Sequence, residues 1–303
     1  MFDIALVGCG GTMPMPNRYL SSALLKYNGS MVLIDCGEGT QVSLKMLGWG
    51  FKAIDVICLT HYHADHVLGL PGLLLTIGNS GRTEPLTIIG PLGLKKVIEG
   101  LTVIAPNLPY ELNLVEIFFE TNTVHNIGDF IIKTLPGEHG VPCECYSIEI
   151  LRRPKFDKNR ASEQNIPISF WNKLQKGEII YDKGKEYTPN MVLGEYRKGL
   201  KISYCTDTRP VSNLSRFVSE SDLFICEGMY GEDTELPKAL ENKHMLFTEA
   251  AKTAKEGAVK ELWLTHYSPS LTEPSDYIQN ATMLFSNTIL GEDRMIKILN
   301  FEN

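Results

Sequence analysis

The chain lacks the long apolar segments that cross membranes. Its 303 residues contain no run of about 18 apolar residues, the length that a transmembrane helix needs. The opening stretch MFDIALVGCGG also lacks the basic residues that begin a secretory signal peptide, and it is typical of a first strand. We therefore expect neither a membrane partner nor a secretory leader.

Disulfide pairing is a second feature for which the sequence offers little support. The seven cysteines are odd in number and scattered, and most lie in apolar, strand-like stretches such as VICLT and LFICEG. Such usage favours buried thiols in a reducing cytoplasm over a disulfide framework. Cys143 and Cys145 could share one face of a strand as a soft-metal pair, although buried thiols are the simpler interpretation. We expect a cytoplasmic protein.

Positive charge is scarce overall but concentrated in one segment. The formal net charge of −7 argues weakly against a nucleic-acid partner. Residues 149–201, however, hold 12 Lys and Arg against 7 Asp and Glu, a balance of +5 that leaves −12 for the rest of the chain. Local charge matters more to a polyanion than the total does, so RNA stays among the candidate partners.

No internal repeat or linker divides the chain, and apolar strand-like runs alternate with helix-period stretches. The predicted strands are FDIALVG, SALLKY, MVLIDCG, IDVICLT, PLTIIG, FIIKTL, CYSIEIL, LKISYCT, DLFICE and ELWLTH. The predicted helices cover 39–47, 67–77, 93–104, 213–219, 246–257 and 275–286. Strand followed by helix, with polar residues at strand ends, favours an α/β layered fold with the helices outside. We expect one domain over 1–303, with a basic inserted arm at about 152–199.

Three of the seven histidines fall within six residues of the stretch LTHYHADHVLG. His61 and His63 follow the strand IDVICLT, where alternate residues can point the same way. Asp65 and His66 then lie in the turn that leads to a helix start. Imidazole nitrogens combined with a carboxylate suit Zn²⁺ and, less exclusively, Mn²⁺ or Fe²⁺. We predict a metal site here.

More distant residues should complete this site, since other polar residues also follow directly after apolar strands. His139 ends the stretch IIKTLPGEH, Asp207 follows KISYCT, and His266 follows ELWLT. A carboxylate can bridge two cations, so Asp207 is the candidate bridge. His125 lies away from this strand-end pattern, and we interpret it as structural.

The motifs THYHADH, GEHG, CTDTRP and LTHYS resemble the metallo-β-lactamase fold, and more narrowly ribonuclease Z, the tRNA 3′-processing endonuclease family. The stretch LIDCGEGTQ is similar to that family's early motif, in which Asp35 would support the metal-site histidines. The resemblance implies an αββα sandwich, a homodimer, and a flexible substrate-gripping arm where the basic segment lies. It covers nearly the whole chain.

The resemblance also implies two zinc ions per subunit and assigns their ligands. His61, His63 and His139 would hold one ion, while Asp65, His66 and His266 would hold the other. Asp207 and a hydroxide would lie between them. Two such cations lower the pKa of a shared water and clamp a phosphoryl oxygen.

Glu227 and His244 match an acid pair of the family that lies beyond the metal ligands. A phosphodiester's leaving alkoxide needs a proton, and a histidine held by a carboxylate is a good donor. We hypothesise that Asp65 orients the attacking hydroxide or receives its proton. His244, positioned by Glu227, would protonate the departing 3′ oxygen.

The preferred hypothesis is a zinc-dependent endoribonuclease that removes 3′ trailers from precursor tRNA. A hydrolase of a small phosphodiester, ester or thioester is the alternative enzyme, because the fold by itself does not fix the reaction. A non-catalytic RNA-binding relative is the third hypothesis. The presence of all seven proposed ligands disfavours that third one.

Overall fold

Two large sheets form the centre of the structure, a computed structural model that describes residues 1–118 and 123–302. The chain divides into two compact units. The first comprises Met1–Ile150 and Leu200–Asn300, and the second comprises Leu151–Gly199 with the C-terminal residues from Phe301 onward. The first unit carries all the residues predicted to form the site.

The strands of the described residues are numbered in chain order. They are β1 (Phe2–Gly8), β2 (Ser22–Tyr27), β3 (Ser30–Ile34), β4 (Ile54–Cys58), β5 (Leu86–Pro91), β6 (Leu112–Ile117), β7 (Val124–Ile127), β8 (Phe130–Pro136), β9 (Glu144–Arg152), β10 (Ile180–Asp182), β11 (Lys185–Tyr187), β12 (Arg197–Cys205), β13 (Leu223–Glu227), β14 (Leu262–Thr265), β15 (Thr288–Leu290) and β16 (Met295–Leu299).

The α-helices are numbered in the same way. They are α1 (Thr40–Leu47), α2 (Ala64–Val67), α3 (Leu70–Asn79), α4 (Leu94–Thr102), α5 (Lys158–Glu163), α6 (Ile168–Gln175), α7 (Leu214–Phe217), α8 (Leu236–Asn242), α9 (Phe247–Glu256) and α10 (Ile278–Thr282). None of the helices in the described residues has both the length and the apolar character needed to cross a bilayer.

The described strands form two seven-stranded sheets, ordered β16-β1-β2-β3-β4-β5-β6 and β15-β14-β13-β12-β9-β8-β7. In the first sheet, β1 is antiparallel to both neighbours, whereas β3, β4, β5 and β6 pair in parallel. In the second, β12 to β15 pair in parallel. Parallel strands need apolar cover on both faces, which explains why β4 and β13 are almost continuously apolar and buried.

The inner faces of the two sheets pack against each other. The Phe2 ring of the first sheet lies 6.3 Å from the Phe130 ring of the second, measured between centroids. The hydroxyl of Tyr146 in β9 donates to the carbonyl of Leu59, which directly follows β4, at 2.7 Å. Helices cover the outer faces, as α3 does with the buried side chains of Leu70, Leu73, Leu74 and Ile77. The predicted α/β fold class is therefore confirmed.

Three predicted site residues adopt a left-handed backbone conformation where strands end. The φ angles are +58° at Asp35 after β3, +54° at Asp207 after β12 and +57° at His266 after β14. Left-handed geometry costs a non-glycine residue roughly 1–2 kcal/mol. Such strain at three strand ends turns the chain abruptly and gathers these side chains at one edge of the sheets.

The second unit has a small core of its own. Within it, the side chains of Ala161, Ile166, Leu174, Tyr187 and Val192 are buried together. Asp157 caps α5 by accepting from the backbone N–H groups of Asn159 at 2.9 Å and Arg160 at 3.1 Å. Strands β10 and β11 form an antiparallel hairpin.

Several predicted elements differ in detail from the observed ones. The helix expected over 67–77 begins earlier, at Ala64, and is divided into α2 and α3 at Gly69, where a Cβ would lie 2.1 Å from the carbonyl oxygen of Gly37. Asp65 and His66 therefore lie in the short α2, and the expectation of a turn there was wrong. The helix expected over 275–286 is a 3₁₀ turn followed by α10.

Candidate metal centre

Three imidazoles meet at the ends of β4 and β8. His61 and His63 follow β4 and are separated by one residue, so both rings reach the same side of the strand end. The Nε2 atom of His61 lies 2.9 Å from the Nδ1 atom of His63, and the Nε2 atom of His139 lies 3.2 Å from that same Nδ1. His61, His63 and His139, together with Asp207, form one group whose ligand atoms all lie within 4.8 Å of one another.

A second group forms beside the first and contains Asp65, His66 and His266. The two Nε2 atoms of His66 and His266 lie 3.3 Å apart. The Oδ2 atom of Asp65 lies 3.4 Å from His66 Nε2 and 3.6 Å from His266 Nε2. The carboxylate is itself fixed by the backbone N–H of Thr12, which donates to Oδ2 at 2.8 Å.

The Asp207 carboxylate lies between the two groups and directs one oxygen to each. Its Oδ1 atom lies 3.8 Å from the Nε2 atoms of both His61 and His139. Its Oδ2 atom lies 3.2 Å from the Nε2 atoms of both His66 and His266. Asp207 Oδ2 is buried and has no hydrogen-bond partner, so it is available as a ligand to a cation.

Hydrogen bonds behind the cluster determine which ring nitrogen faces it. The Asp35 carboxylate accepts from the Thr60 N–H and the Thr60 hydroxyl, each at 2.8 Å, and from Nδ1 of His66 at 2.8 Å. Since the Thr60 hydroxyl donates to Asp35, its oxygen accepts from Nδ1 of His61 at 3.1 Å. The carbonyl of Lys243 accepts from Nδ1 of His139 at 3.3 Å. Each of these rings therefore directs its Nε2 atom, and not Nδ1, at the cluster.

This arrangement fits a cation, because ring nitrogens and carboxylate oxygens face one another across the cluster. Burial lowers the pKa of His61 and of His139, which favours the neutral imidazole that binds metals. At His66 burial also lowers the pKa, but Asp207 and Asp35 outweigh it and raise the pKa well above its usual value. The negative charge there attracts a proton or, in its place, a metal ion. The clusters indicate a metal-binding site.

Glycines allow the backbone to approach the cluster closely. A Cβ at Gly11 would lie 2.7 Å from Cε1 of the His266 ring. A Cβ at Gly37 would lie 1.9 Å from the carbonyl oxygen of Asp65. No side chain larger than hydrogen fits at either position without moving a proposed ligand.

Glu227 and His244 lie together next to Asp207. The Oε2 atom of Glu227, the last residue of β13, accepts from Nδ1 of His244 at 2.9 Å, and Oε1 accepts from the Thr208 N–H at 2.7 Å. Burial lowers the pKa of His244, but the charge and hydrogen bond of Glu227, with Asp207, outweigh it and raise the pKa to about 9. Because Nδ1 is engaged by Glu227, the ring presents its Nε2 atom to the cavity.

A cavity of about 520 Å³ opens beside the cluster. Asp65, His139, Asp207, His244 and His266 line it together with Thr12, Met229, Tyr230, Asn242 and Ser268. Asp207, His244 and His266 also form a third group with metal-ligand spacing. The atom of His244 that lies 3.8 Å from Asp207 Oδ1 is Nδ1, and that atom already donates to Glu227, so it is not free to bind a cation there.

The sequence analysis identified the seven proposed ligands and three further residues, Asp35, Glu227 and His244. The structure brings all ten together. Sequence reasoning kept His125 apart, and that residue lies in β7 beside Thr123, 2.9 Å from the Thr123 hydroxyl. It did not identify Thr60 or Thr12. Thr60 directly precedes the first histidine, and that adjacency was the available signal. Thr12 acts through its backbone N–H, for which the sequence offers no signal.

Comparison with solved structures identifies the class of protein that this fold and site define. The metallo-β-lactamase fold protein YhfI from Bacillus subtilis superposes with a TM-score of 0.70 at 20% identity, covering 98% of each chain. The protein has a metallo-β-lactamase fold.

Closer relatives specify the family. The chain is 57% identical over 308 residues to the ribonuclease Z of Clostridium acetobutylicum and 58% identical over 302 residues to that of Clostridium kluyveri, and each comparison covers both chains completely. A family model described as anti-Pycsar protein Apyc1 also matches residues 2–159. The chain belongs to the ribonuclease Z family, and the resemblance inferred from its motifs is confirmed.

Proposed function

We propose that this protein is a metal-dependent hydrolase, an endoribonuclease that removes 3′ trailers from precursor tRNA. The proposal rests on the position of the Asp207 carboxylate, which has one oxygen near each of the two ligand groups. Two cations bridged in this way are a recurrent arrangement in phosphodiester hydrolysis. Relatives named ribonuclease Z that align over the full length support the RNA substrate.

Two Zn²⁺ ions per subunit fit the donor set, with Mn²⁺ or Fe²⁺ as substitutes. His61, His63 and His139 would hold one ion, Asp65, His66 and His266 the other, and Asp207 would bridge them. Bound there, the cations would supply Lewis acidity that activates water and neutralises charge on the phosphoryl oxygens.

The chain's own residues then position and transfer protons. Asp65, fixed by the Thr12 N–H, faces the cavity where it orients the attacking water or takes its proton. His244, held through Nδ1 by Glu227, presents Nε2 to the cavity and would donate a proton from that atom. The water oxygen bonds to phosphorus while the bond from phosphorus to the upstream O3′ breaks. O3′ receives the proton from His244 and becomes a 3′-hydroxyl, and the water oxygen becomes part of the 5′-phosphate of the trailer.

The direct experiment maps the product ends. Zinc-loaded protein is incubated with a 3′-extended precursor tRNA, and both fragments are sequenced and tested for terminal phosphates. We expect one cut next to the mature 3′ end, with a 3′-hydroxyl on the tRNA and a 5′-phosphate on the trailer. An uncut precursor, or cuts spread along the RNA, would overturn the proposal.

A hydrolase of a small phosphodiester is the second candidate, favoured by the composition of the cavity. Among its described lining residues there is no Lys or Arg, the side chains that usually bind an RNA backbone. Ester or thioester hydrolysis remains a further alternative in this fold. Faster turnover of cyclic or dinucleotide substrates than of precursor tRNA would favour the small-substrate enzyme.

The expected assembly and compartment are also proposals. A homodimer is what the resemblance to the ribonuclease Z family implies, and Val42 and Met46 on α1, 53% and 60% exposed, are candidates for its contact surface. Light scattering should report twice the chain mass of 33.9 kDa. A cytoplasmic setting is supported by the seven cysteines, which are all buried as free thiols.

A further inference from the structure

Arg209 connects three loops of the metal centre. It lies two residues after Asp207, and its backbone N–H donates to the carbonyl of Glu138, the neighbour of His139, at 3.0 Å. Its guanidinium, 11% exposed, donates to the carbonyl of His244 and to both carboxylate oxygens of Glu249, one of them at 2.7 Å.

Glu249 extends this connection to the segment that carries His244. Its Oε2 atom accepts from the backbone N–H of Leu246 at 2.9 Å and so caps the first turn of α9. Lys243, just before His244, has a left-handed φ of +58°, which turns the chain from α8 toward the cavity. The short segment 243–246 is therefore held at His244 by Arg209 and at Leu246 by Glu249.

We propose that Arg209 is a positioning residue for His244 and acts through Glu249 and the His244 carbonyl. The guanidinium fixes the backbone from which the imidazole projects, while Glu227 fixes the ring through Nδ1. Because both the backbone carbonyl and the Nδ1 atom of His244 are held, the ring has one orientation, in which Nε2 faces the cavity. The inference rests on the proposed function, because it concerns proton donation to a departing ribose oxygen.

The leaving group separates this role from a purely structural one. A ribose 3′ alkoxide is a poor leaving group and depends on a proton donor, whereas p-nitrophenolate departs without one. Loss of His244 positioning should therefore impair cleavage of precursor tRNA far more than hydrolysis of bis(p-nitrophenyl) phosphate. Damage to the metal ligands would impair both reactions together.

The experiment measures kcat and KM on both substrates for zinc-loaded wild type, Arg209→Met, Arg209→Lys, His244→Ala and the double variant Arg209→Met/His244→Ala. Arg216→Met serves as the matched control, since Arg216 is an exposed residue of α7 outside the centre. Bound metal and the melting temperature are recorded for every variant, so that folding and metal loading are known independently of activity.

We expect Arg209→Met to lower kcat on precursor tRNA by about 10–100-fold with KM nearly unchanged, and to affect the chromogenic diester far less. Arg209→Lys should recover only part of the loss. The lysine keeps the positive charge, but its ammonium cannot contact both Glu249 and the His244 carbonyl with the planar fork of a guanidinium. Added to His244→Ala, Arg209→Met should cost less than about twofold further. Bound metal should stay at the wild-type level.

Two results would overturn the inference. One is that Arg209→Met lowers kcat equally on precursor tRNA and on the chromogenic diester. The other is that Arg209→Met lowers kcat as much in the His244→Ala protein as in the wild type. If Arg209→Met does not fold, Arg209→Lys and Glu249→Gln replace it. They are compared in the same way, between the two substrates and between the wild-type and His244→Ala proteins. A wild-type protein that leaves precursor tRNA uncut would instead overturn the proposed function, and that result is distinct from either of the others.

Discussion

Replacing Asp35 by Asn should weaken the metal centre, most directly at His66, while leaving the fold intact. Asparagine has nearly the same shape and tolerates the left-handed φ of +58° at this position. Its amide oxygen can still accept from the Thr60 N–H. Its amide nitrogen, however, donates where Asp35 Oδ2 accepts from Nδ1 of His66 at 2.8 Å.

The consequence is a change of tautomer at His66. With Nδ1 now accepting a hydrogen bond, the ring proton moves to Nε2, the atom that faces Asp207 and His266 at 3.2 and 3.3 Å. A protonated nitrogen cannot bind a cation. Loss of a hydrogen bond behind a metal ligand typically costs 10–100-fold in affinity, which is about 1.4–2.7 kcal/mol. We expect that loss for the ion that Asp65, His66 and His266 would hold.

The assay is competition for zinc with a chromophoric chelator, followed alongside by thermal unfolding of the metal-free protein. Asp276→Asn is the matched control, because Asp276 is an exposed residue of the 3₁₀ turn before α10 and belongs to none of the metal-ligand groups. Unchanged affinity of both ions in the Asp35→Asn variant would refute the tautomer argument. A similar loss in the control would show that the change is not specific to His66.

Three further predictions test other parts of the account. Gly11→Ala should displace His266 and lower zinc stoichiometry, since the new Cβ would lie 2.7 Å from the ring, and full stoichiometry would contradict this. Deletion of 155–197 should abolish cutting of precursor tRNA but spare a chromogenic phosphodiester, and equal loss on both would refute a role in RNA binding. Glu144, buried with Oε2 unpartnered, has its pKa raised by burial from 4.5 to about 7. The unfolded chain then binds fewer protons than the folded one between those values, so wild-type stability should fall as pH rises through them by up to about 3 kcal/mol. Glu144→Gln should remove that slope in urea unfolding, and parallel pH profiles would contradict the argument.

Most of the candidate site could be predicted from the sequence because its residues obey a local rule. His61, His139, Asp207 and His266 each follow an apolar strand, and the ends of neighbouring strands meet at one edge of a sheet. Their convergence needed no knowledge of distant contacts. The short spacing from His61 to His66 already indicated the chemistry.

The remaining contacts depend on long-range packing, which local patterns do not encode. Arg209 contacts Glu249, 40 residues away, and nothing beside either residue in the sequence indicates the pair. The same limit applies to strands β6 and β16. Their alternation of apolar and polar residues is weak, and β16 is held by pairing with β1 at the opposite end of the chain.

The helix boundaries also required three-dimensional information. The division between α2 and α3 arises where the backbone of Gly69 passes against Gly37, a contact that no helix propensity reports. Asp65 and His66 lie in the short α2, which ends at Val67, and α3 begins only at Leu70.

Metal stoichiometry tests the central claim most directly. Protein purified without chelators and reconstituted with zinc should contain two ions per chain by elemental analysis, and Asp207→Ala should contain fewer, because both ligand groups share that carboxylate. No more than trace metal in the reconstituted wild type, or two ions retained in Asp207→Ala, would contradict the account.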